Sequence, residues 1–318
     1  MKYYIPYAQE GRARQSTYLG KNEQEEYEAQ GILKRFKYTY AEDKESIEML
    51  FSDIDDPQQT MDAIINKIID GTDPDFQGLS TWAAFRDKVD EFSQKNQKDD
   101  KKKSNEISVL SWRKFKRIIN KAIRNDDMFA NRVAGSKGEC RLTDEIRGIQ
   151  KNDVYVIDIA KLSEDKQAFV FGDAIRAIYN LKLGEYDDIL GNAKPPTRIV
   201  VFIDELNKYA SKDTPKSSAI LREILDVTER GRSLGVVLFG AEQFRSNIHP
   251  RVTGNCSTHA YGRTNSIETE TKDYKSLPPV YKNMLTRLSQ GDYLIQNPMF
   301  RSLLKIHFPK PVYKQFKG

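Results

Sequence analysis

Residues Arg198 to Leu206 read R-I-V-V-F-I-D-E-L, five uninterrupted apolar residues running directly into two adjacent carboxylates, Asp204 and Glu205. A short continuous apolar run of this kind reads as a strand with both faces covered, as in a parallel sheet flanked by helices. Such a strand delivers its C-terminal end to the crevice where open α/β sheets bind ligands. Two acids at that position are costly unless they serve a cation or a proton. The plainer alternative is a strand that ends in a solvated acidic turn.

Two further apolar runs have the same character: Val154-Tyr155-Val156-Ile157-Asp158-Ile159 and Gly235-Val236-Val237-Leu238-Phe239-Gly240. Helical spacers separate the three, so the expected class is α/β with a mainly parallel sheet covered on both faces. Met1 to Tyr7 and Ile32 to Tyr40 are further strand candidates, while Gly11 to Gly31 is polar and reads as loop. Between them and the apolar runs, Ala41–Phe51, Thr60–Asp70 and Trp82–Phe92 carry apolar residues at helical spacing, and Val109 opens a helix with a basic outer face. Thr258–Tyr261, Tyr293–Gln296 and Ser302–Phe308 are shorter strand candidates. The expected organisation is residues 1–40 as N-terminal strands of a core, 41–126 as a helical insertion with a lysine-rich loop at Asn96–Asn105, and 127–318 as the main core with C-terminal strands.

After the acidic pair, Asp213-Thr214-Pro215 predicts a helix start. Ile220, Leu221, Ile224, Leu225 and Thr228 form one face of that helix, and Gly231 is its expected stop. The third apolar run ends in G-A-E-Q, which puts Gln243 just past a strand end. A polar group there suits contact with a phosphate; a capping or loop role is the simpler reading.

From Arg198 to Arg263 the order is V-V-F-I-D-E, helix, E-R-G-R-S-L-G, V-V-L-F-G-A-E-Q, then H-P-R-V-T-G-N-C-S-T-H-A-Y-G-R-T. This order resembles the second half of the HerA/FtsK superfamily motor core, closest to bacterial HerA-like ATPases. The closing L-S-Q-G-D-Y-L-I-Q and H-F-P-K-P, and more weakly the opening K-Y-Y-I-P-Y and L-F-S-D-I-D-D-P, extend the resemblance over most of the chain. It implies a RecA-like P-loop NTPase core, incomplete on its N-terminal side, that uses ATP and Mg²⁺ to move duplex DNA through a hexameric ring. By resemblance Asp204 is the Mg²⁺-associated acid, acting through water, and Glu205 the catalytic base. Gln243 is the sensor, and Arg230 or Arg232 an arginine finger reaching a neighbouring subunit. Arg263 matches a family arginine that follows the sensor strand. For Arg230 and Arg232 the alternative is a cation complementing a helix C-terminus; for Arg263 it is a surface charge. HerA-like motors also imply a nuclease or another effector as partner.

The sequence lacks the phosphate-binding loop G-x-x-x-x-G-K-[ST]: Gly20-Lys21 has no upstream glycine at the required spacing, and Gly135-Ser136-Lys137-Gly138 has neither spacing nor ending. The expectation is that the first strand and its loop lie outside this chain, through a split gene, a truncation or an internal start, with a separate partner polypeptide filling the gap or the chain adapted to its absence, and that the chain alone turns ATP over poorly. The alternative is a catalytically inactive ring-assembly or DNA-binding module that partners another polypeptide.

Mean hydropathy is −0.67 and 31% of residues are charged, with no apolar run long enough to span a bilayer. Two cysteines, Cys140 and Cys256, give no disulfide framework, so a cytoplasmic setting is expected. The pI of about 8.9 permits a nucleic-acid partner. Lys98 to Arg124 concentrates this charge, with ten Lys or Arg against three Asp or Glu, and includes Trp112 and Phe115. It reads either as a nucleic-acid-facing helix or as a solvated face whose aromatic stripe docks on the core; the latter is favoured. His249, Cys256 and His259 match no closed zinc site.

Overall fold

A computed structural model describes residues 1–9, 17–70, 73–94, 107–124, 126–186 and 194–310. The lysine-rich stretch Asn96–Asn105, expected as an exposed loop, lies outside the described residues. The chain forms two compact units, one comprising Met1–Val200 with Pro215–Val237 and the other Val201–Thr214 with Leu238–Gly318.

The first unit opens with β1 (Lys2–Pro6), α1 (Lys21–Ala29), β2 (Leu33–Phe36) and β3 (Tyr38–Thr39). Then come α2 (Tyr40–Asp43), a 3₁₀ segment (Lys44–Phe51), α3 (Thr60–Ile69), α4 (Trp82–Gln94) and α5 (Val109–Ile123). The chain continues through β4 (Phe129–Ala130), β5 (Glu139–Cys140), α6 (Leu142–Arg147), β6 (Tyr155–Ile157) and α7 (Glu164–Leu183). It closes with the first part of β7 (Ile199–Ile203), all of α8 (Ala219–Leu234) and the first part of β8 (Val236–Gly240).

Its sheet has the order β5-β2-β1-β6 and is parallel throughout, with Tyr3 registered against both Leu33 and Val156. Parallel neighbours require crossovers long enough to hold helices. The largest of these, between β2 and β5, carries α2 to α5. Aromatic side chains fill this region: Phe92 stacks on Trp112 at 4.6 Å, Phe51 on Phe115 at 4.8 Å, and Tyr38 meets Phe169 edge-on at 4.8 Å. Rings of this size bury large areas and add a geometric preference of about 0.5–1.5 kcal/mol per pair. The Trp82 indole N–H donates to the Tyr38 carbonyl at 2.9 Å, so its polar atom is satisfied inside the core.

Among the described residues, charges that enter this core have partners. Arg141 reaches Asp43 at 2.6 Å, and the Asp43 carboxylate also accepts the Thr39 amide at 2.6 Å. Arg176 of α7 joins Glu48 and, at 2.8 Å, Glu223 of α8. Buried Asp173 accepts the hydroxyls of Ser46 and Thr143 at 2.7 and 3.1 Å.

The second unit holds the remaining part of β7 and of β8 and adds α9 (Pro250–Asn255), β9 (His259–Tyr261), α10 (Ser266–Thr269), α11 (Pro279–Leu285), β10 (Asp292–Gln296) and β11 (Leu304–His307). The last three strands form an antiparallel sheet in the order β11-β10-β9. Its core is Tyr261, Tyr274, Leu277, Leu285, Leu288 and Leu294. Among the described residues no helix is long and apolar enough to cross a membrane.

The α/β class with a mainly parallel sheet is borne out, and the three apolar runs are β6, β7 and β8. Some local expectations are corrected. Part of the polar stretch Gly11–Gly31 is the helix α1, which buries no residue and so leaves no apolar periodicity to read. The helix expected to start at Asp213–Pro215 starts instead at Ala219. Residues Pro215 to Ser218 close a turn, and the Ser218 hydroxyl caps the helix by accepting the Leu221 amide. It also runs past Gly231 to Leu234 and stops at Gly235, whose φ of +78° and approach to the Thr197 carbonyl leave no room for a Cβ. Finally, β7 and β8 are not covered on both faces: Phe202 is 77% and Phe239 53% exposed.

Candidate functional site

The Ile199 amide donates to the Gly235 carbonyl at 2.9 Å, and the Ala241 amide donates to the Ile203 carbonyl at 2.8 Å. Both strands therefore advance in the same direction, so β7 and β8 are parallel and their carboxyl ends coincide. Just beyond those ends, the Leu206 amide donates to the Ala241 carbonyl at 3.1 Å and the Asn207 amide to Glu242 Oε2 at 2.9 Å. Glu242 also accepts the Gln243 amide through Oε1 at 2.6 Å. These bonds bring Asp204, Glu205 and Gln243 to one end of the strand pair. A Cβ at Gly240 would fall 2.5 Å from a Leu206 methyl carbon, so a larger residue there would make the Leu206 side chain shift.

Asp204 is exposed, and its Oδ1 accepts the Glu205 amide at 3.1 Å. Glu205 occupies the left-handed region at φ 52°, which is sparsely used by non-glycine residues and concentrates where structure serves function. Its carboxylate pairs with Lys208 one turn on. Tyr209 lies in the same turn, and burial followed by the Glu205 charge pushes its hydroxyl up to about 12. The Asn207 side-chain oxygen is buried without a partner.

The donor set at Asp204 fits Mg²⁺ held largely by water and substrate oxygens, which needs only one or two protein carboxylates. It does not form a closed protein cage: among the described residues no group of three or more His, Cys, Asp or Glu converges for a metal. Gln243 is exposed, as its position past β8 requires. Arg263 is exposed and follows β9 in the second unit. Arg232 lies in the last turn of α8 and Arg230 just before it, both in the first unit and exposed, and Arg230 rests beside Tyr179.

Sequence reading missed a second cluster in the same unit as the acidic pair. Arg245 donates to His259 Nδ1 at 2.9 Å and to the Tyr261 hydroxyl at 3.1 Å, and Tyr261 donates to Gln296 at 2.7 Å. His259 is held down to about 4 by burial and by the Arg245 charge, so it stays neutral and accepts at Nδ1. Its only sequence signal was the E-Q-F-R order, which puts Arg245 two residues after Gln243. In the first unit, a cavity of about 550 Å³ is lined by Thr39, Arg132, Glu139, Cys140, Arg141 and Asp144, none of them a site residue by sequence. The Arg141 charge there is already met by Glu42, Asp43 and Asp144, so that cavity reads as structural.

The fold and the position of the acidic pair define an α/β protein with paired carboxylates at the carboxyl end of a parallel strand. No family model matches the sequence, and no curated protein matches it. Among solved structures, VirB4 of Thermoanaerobacter pseudethanolicus aligns with a TM-score of 0.51 at 13% identity, over 84% of this chain and 69% of that one. The bacterial conjugative coupling protein TrwBdeltaN70 aligns with a TM-score of 0.49 at 11% identity, over 89% and 73%. The genome packaging NTPase B204 from Sulfolobus turreted icosahedral virus 2, in complex with ATP-gammaS, gives 0.37 at 19% identity, over 52% and 71%. At these identities the likeness to VirB4 is one of fold.

Proposed function

We propose that this chain is the acidic, hydrolytic part of an ATP-driven motor of HerA type that moves duplex DNA through a ring, its nucleotide site completed by a phosphate-binding loop outside these residues, on the same or on a separate polypeptide. The observation that carries this reading is the joint placement of Asp204, Glu205 and Gln243 at the carboxyl ends of two parallel strands. In phosphoryl transfer the protein acts mainly by positioning and by stabilising charge. Asp204 would hold Mg²⁺ through water. Glu205, released from Lys208, would take the proton of the attacking water, and Gln243 would contact the terminal phosphate. Arg230 or Arg232 would stabilise the charge developing in a neighbouring subunit's site, and Arg263 would lie further along the same nucleotide. A homo-oligomeric ring, most simply a hexamer, is part of this proposal, as is a nuclease or other effector working with it.

The missing phosphate loop decides how the site is completed. Phe202 and Phe239 leave one face of β7 and β8 open, and β7 and β8 pair only with each other among the described residues. A strand and helix carrying G-x-x-x-x-G-K-[ST] would add both the phosphate cradle and apolar cover. A coupled ATPase assay tests this. The chain alone should show little Mg²⁺-dependent turnover. Adding the loop-bearing polypeptide should restore turnover, and Glu205→Gln should then abolish it while nucleotide still binds. Strong turnover by the chain alone, or restored turnover indifferent to Glu205→Gln, overturns the proposal. The second reading, an inactive assembly or DNA-binding module, predicts a particle whose size and DNA affinity ignore nucleotide under every condition.

A further inference from the structure

We infer that the outward face of α5 is a docking surface for the sugar-phosphate backbone of DNA, separate from the nucleotide site. From Val109 to Arg124 the chain holds six Lys or Arg and no Asp or Glu. At 3.6 residues per turn, Arg113, Lys114, Arg117, Lys121 and Arg124 fall within about 100° of one another. The opposite arc carries Trp112, Phe115, Ile119, Ala122 and Ile123, all buried.

The aromatic side chains are spoken for. Trp112 stacks on Phe92 and Phe115 on Phe51, so neither is free to stack on a base as single-strand binders require. What the helix offers outward is cations, which suits phosphates. Three of the six have partners: Lys116 reaches Asp90 at 3.1 Å, Lys121 reaches Asp165 at 2.5 Å, and Arg113 Nε donates to the Ser93 carbonyl at 3.0 Å. Lys114, Arg117 and Arg124 are exposed, and among the described residues no carboxylate pairs with them.

Two ordinary explanations for surface cations fall short here. A face kept only for solubility mixes both signs, whereas this one has no acid along the whole helix. Complementing the helix dipole accounts for cations in the last turn, such as Lys121 and Arg124. It does not account for Lys114 and Arg117 in the middle. Like charges three and four residues apart destabilise a helix by about 0.2–0.5 kcal/mol per pair, a cost that a bound polyanion reverses. From Lys114 to Arg124 the stripe is about 15 Å long, the axial span of roughly four phosphates on one strand of a duplex. The surface shares with the proposed motor the choice of DNA as partner, but its contacts require no nucleotide.

The test is fluorescence anisotropy with a labelled duplex of about 30 base pairs and arbitrary sequence, without nucleotide, at roughly 50 to 200 mM salt. The variant Lys114→Gln with Arg117→Gln and Arg124→Gln should bind at least tenfold more weakly at low salt. Its slope of log affinity against log salt should be shallower by about 2.7, the value for three lost phosphate contacts. Exchanging each cation for the other kind (Lys114→Arg, Arg117→Lys, Arg124→Lys) should keep the slope, and thermal melts should show all variants folded. An unchanged slope and affinity in the folded glutamine variant overturns the inference. So does unchanged DNA binding with lost binding to polyglutamate, which would assign the face to an acidic protein instead. Because the assay contains no ATP, failure of the motor reading leaves this result intact, and failure here leaves the ATPase test intact.

Discussion

Phe202 and Phe239 stack side by side across β7 and β8, with ring centroids 5.0 Å apart and planes 21° from parallel. The contact spares each ring one face while the other looks into water, since Phe202 is 77% exposed. Two positions earlier on the same strands, Val200 and Val237 are exposed as well. Parallel strands are almost always covered on both faces, so this surface is one that sticks to others of its kind. Phe202→Thr should therefore reduce self-association, measured by light scattering at increasing concentration. Its effect on the unfolding midpoint should be small, about 0.5 kcal/mol or less, as for an exposed site.

Glu205 sits at φ 52° and carries a Cβ that this conformation disfavours. Glycine adopts the same backbone at no steric cost. Glu205→Gly relieves about 1–2 kcal/mol of left-handed strain against about 0.5–1 kcal/mol of added chain entropy, so it should stabilise the protein by roughly 0.5 kcal/mol in chemical denaturation, the lost Lys208 pair being partly exposed and worth little. The same substitution should abolish any ATPase activity of a completed site. Stability gained with activity lost is the signature of strain held for function.

The sequence made the three buried-looking strands and the acidic pair legible because each is a local pattern: an apolar run, then two carboxylates. It did not reveal that Phe202 faces water, because a run of apolar residues looks the same whether or not a neighbour covers it. α1 was illegible for the opposite reason, having no buried side to impose a period. The Arg245–His259–Tyr261–Gln296 cluster was illegible because its members come from distant points in the chain and meet only through the pairing of β9 with β10. The basic face of α5 was visible in composition. That its aromatics dock on the core was already the favoured reading; what required the structure was knowing which cations lack partners.

Arg141 and Asp43 form a largely buried ion pair in the first unit, with the Asp43 carboxylate also accepting the Thr39 amide. Removing Arg141 leaves the buried Asp43 carboxylate without its cation, whereas removing Asp43 leaves Arg141 still paired with Glu42 and Asp144. Arg141→Ala should cost about 3–5 kcal/mol and Asp43→Ala clearly less. The double variant should be markedly less than the sum, because it removes both charges together. Denaturant melts of the four proteins measure the coupling directly; additive losses would show that the two residues act separately.

His259 gives the second unit a pH dependence of predictable sign. Its folded value of about 4 lies below the ordinary 6.5, because burial and Arg245 both disfavour the imidazolium. The unfolded chain therefore binds this proton more readily than the folded one. Stability from this group is complete above about pH 6.5 and is lost progressively as pH falls toward 4. His259→Asn removes the titrating group and should flatten that part of the profile, as read from denaturant midpoints taken between pH 7 and pH 4. Carboxylates contribute to the absolute curve in both proteins, so the difference between wild type and variant is the quantity to plot. A difference that does not change across this range would mean that Arg245 does not face a neutral His259.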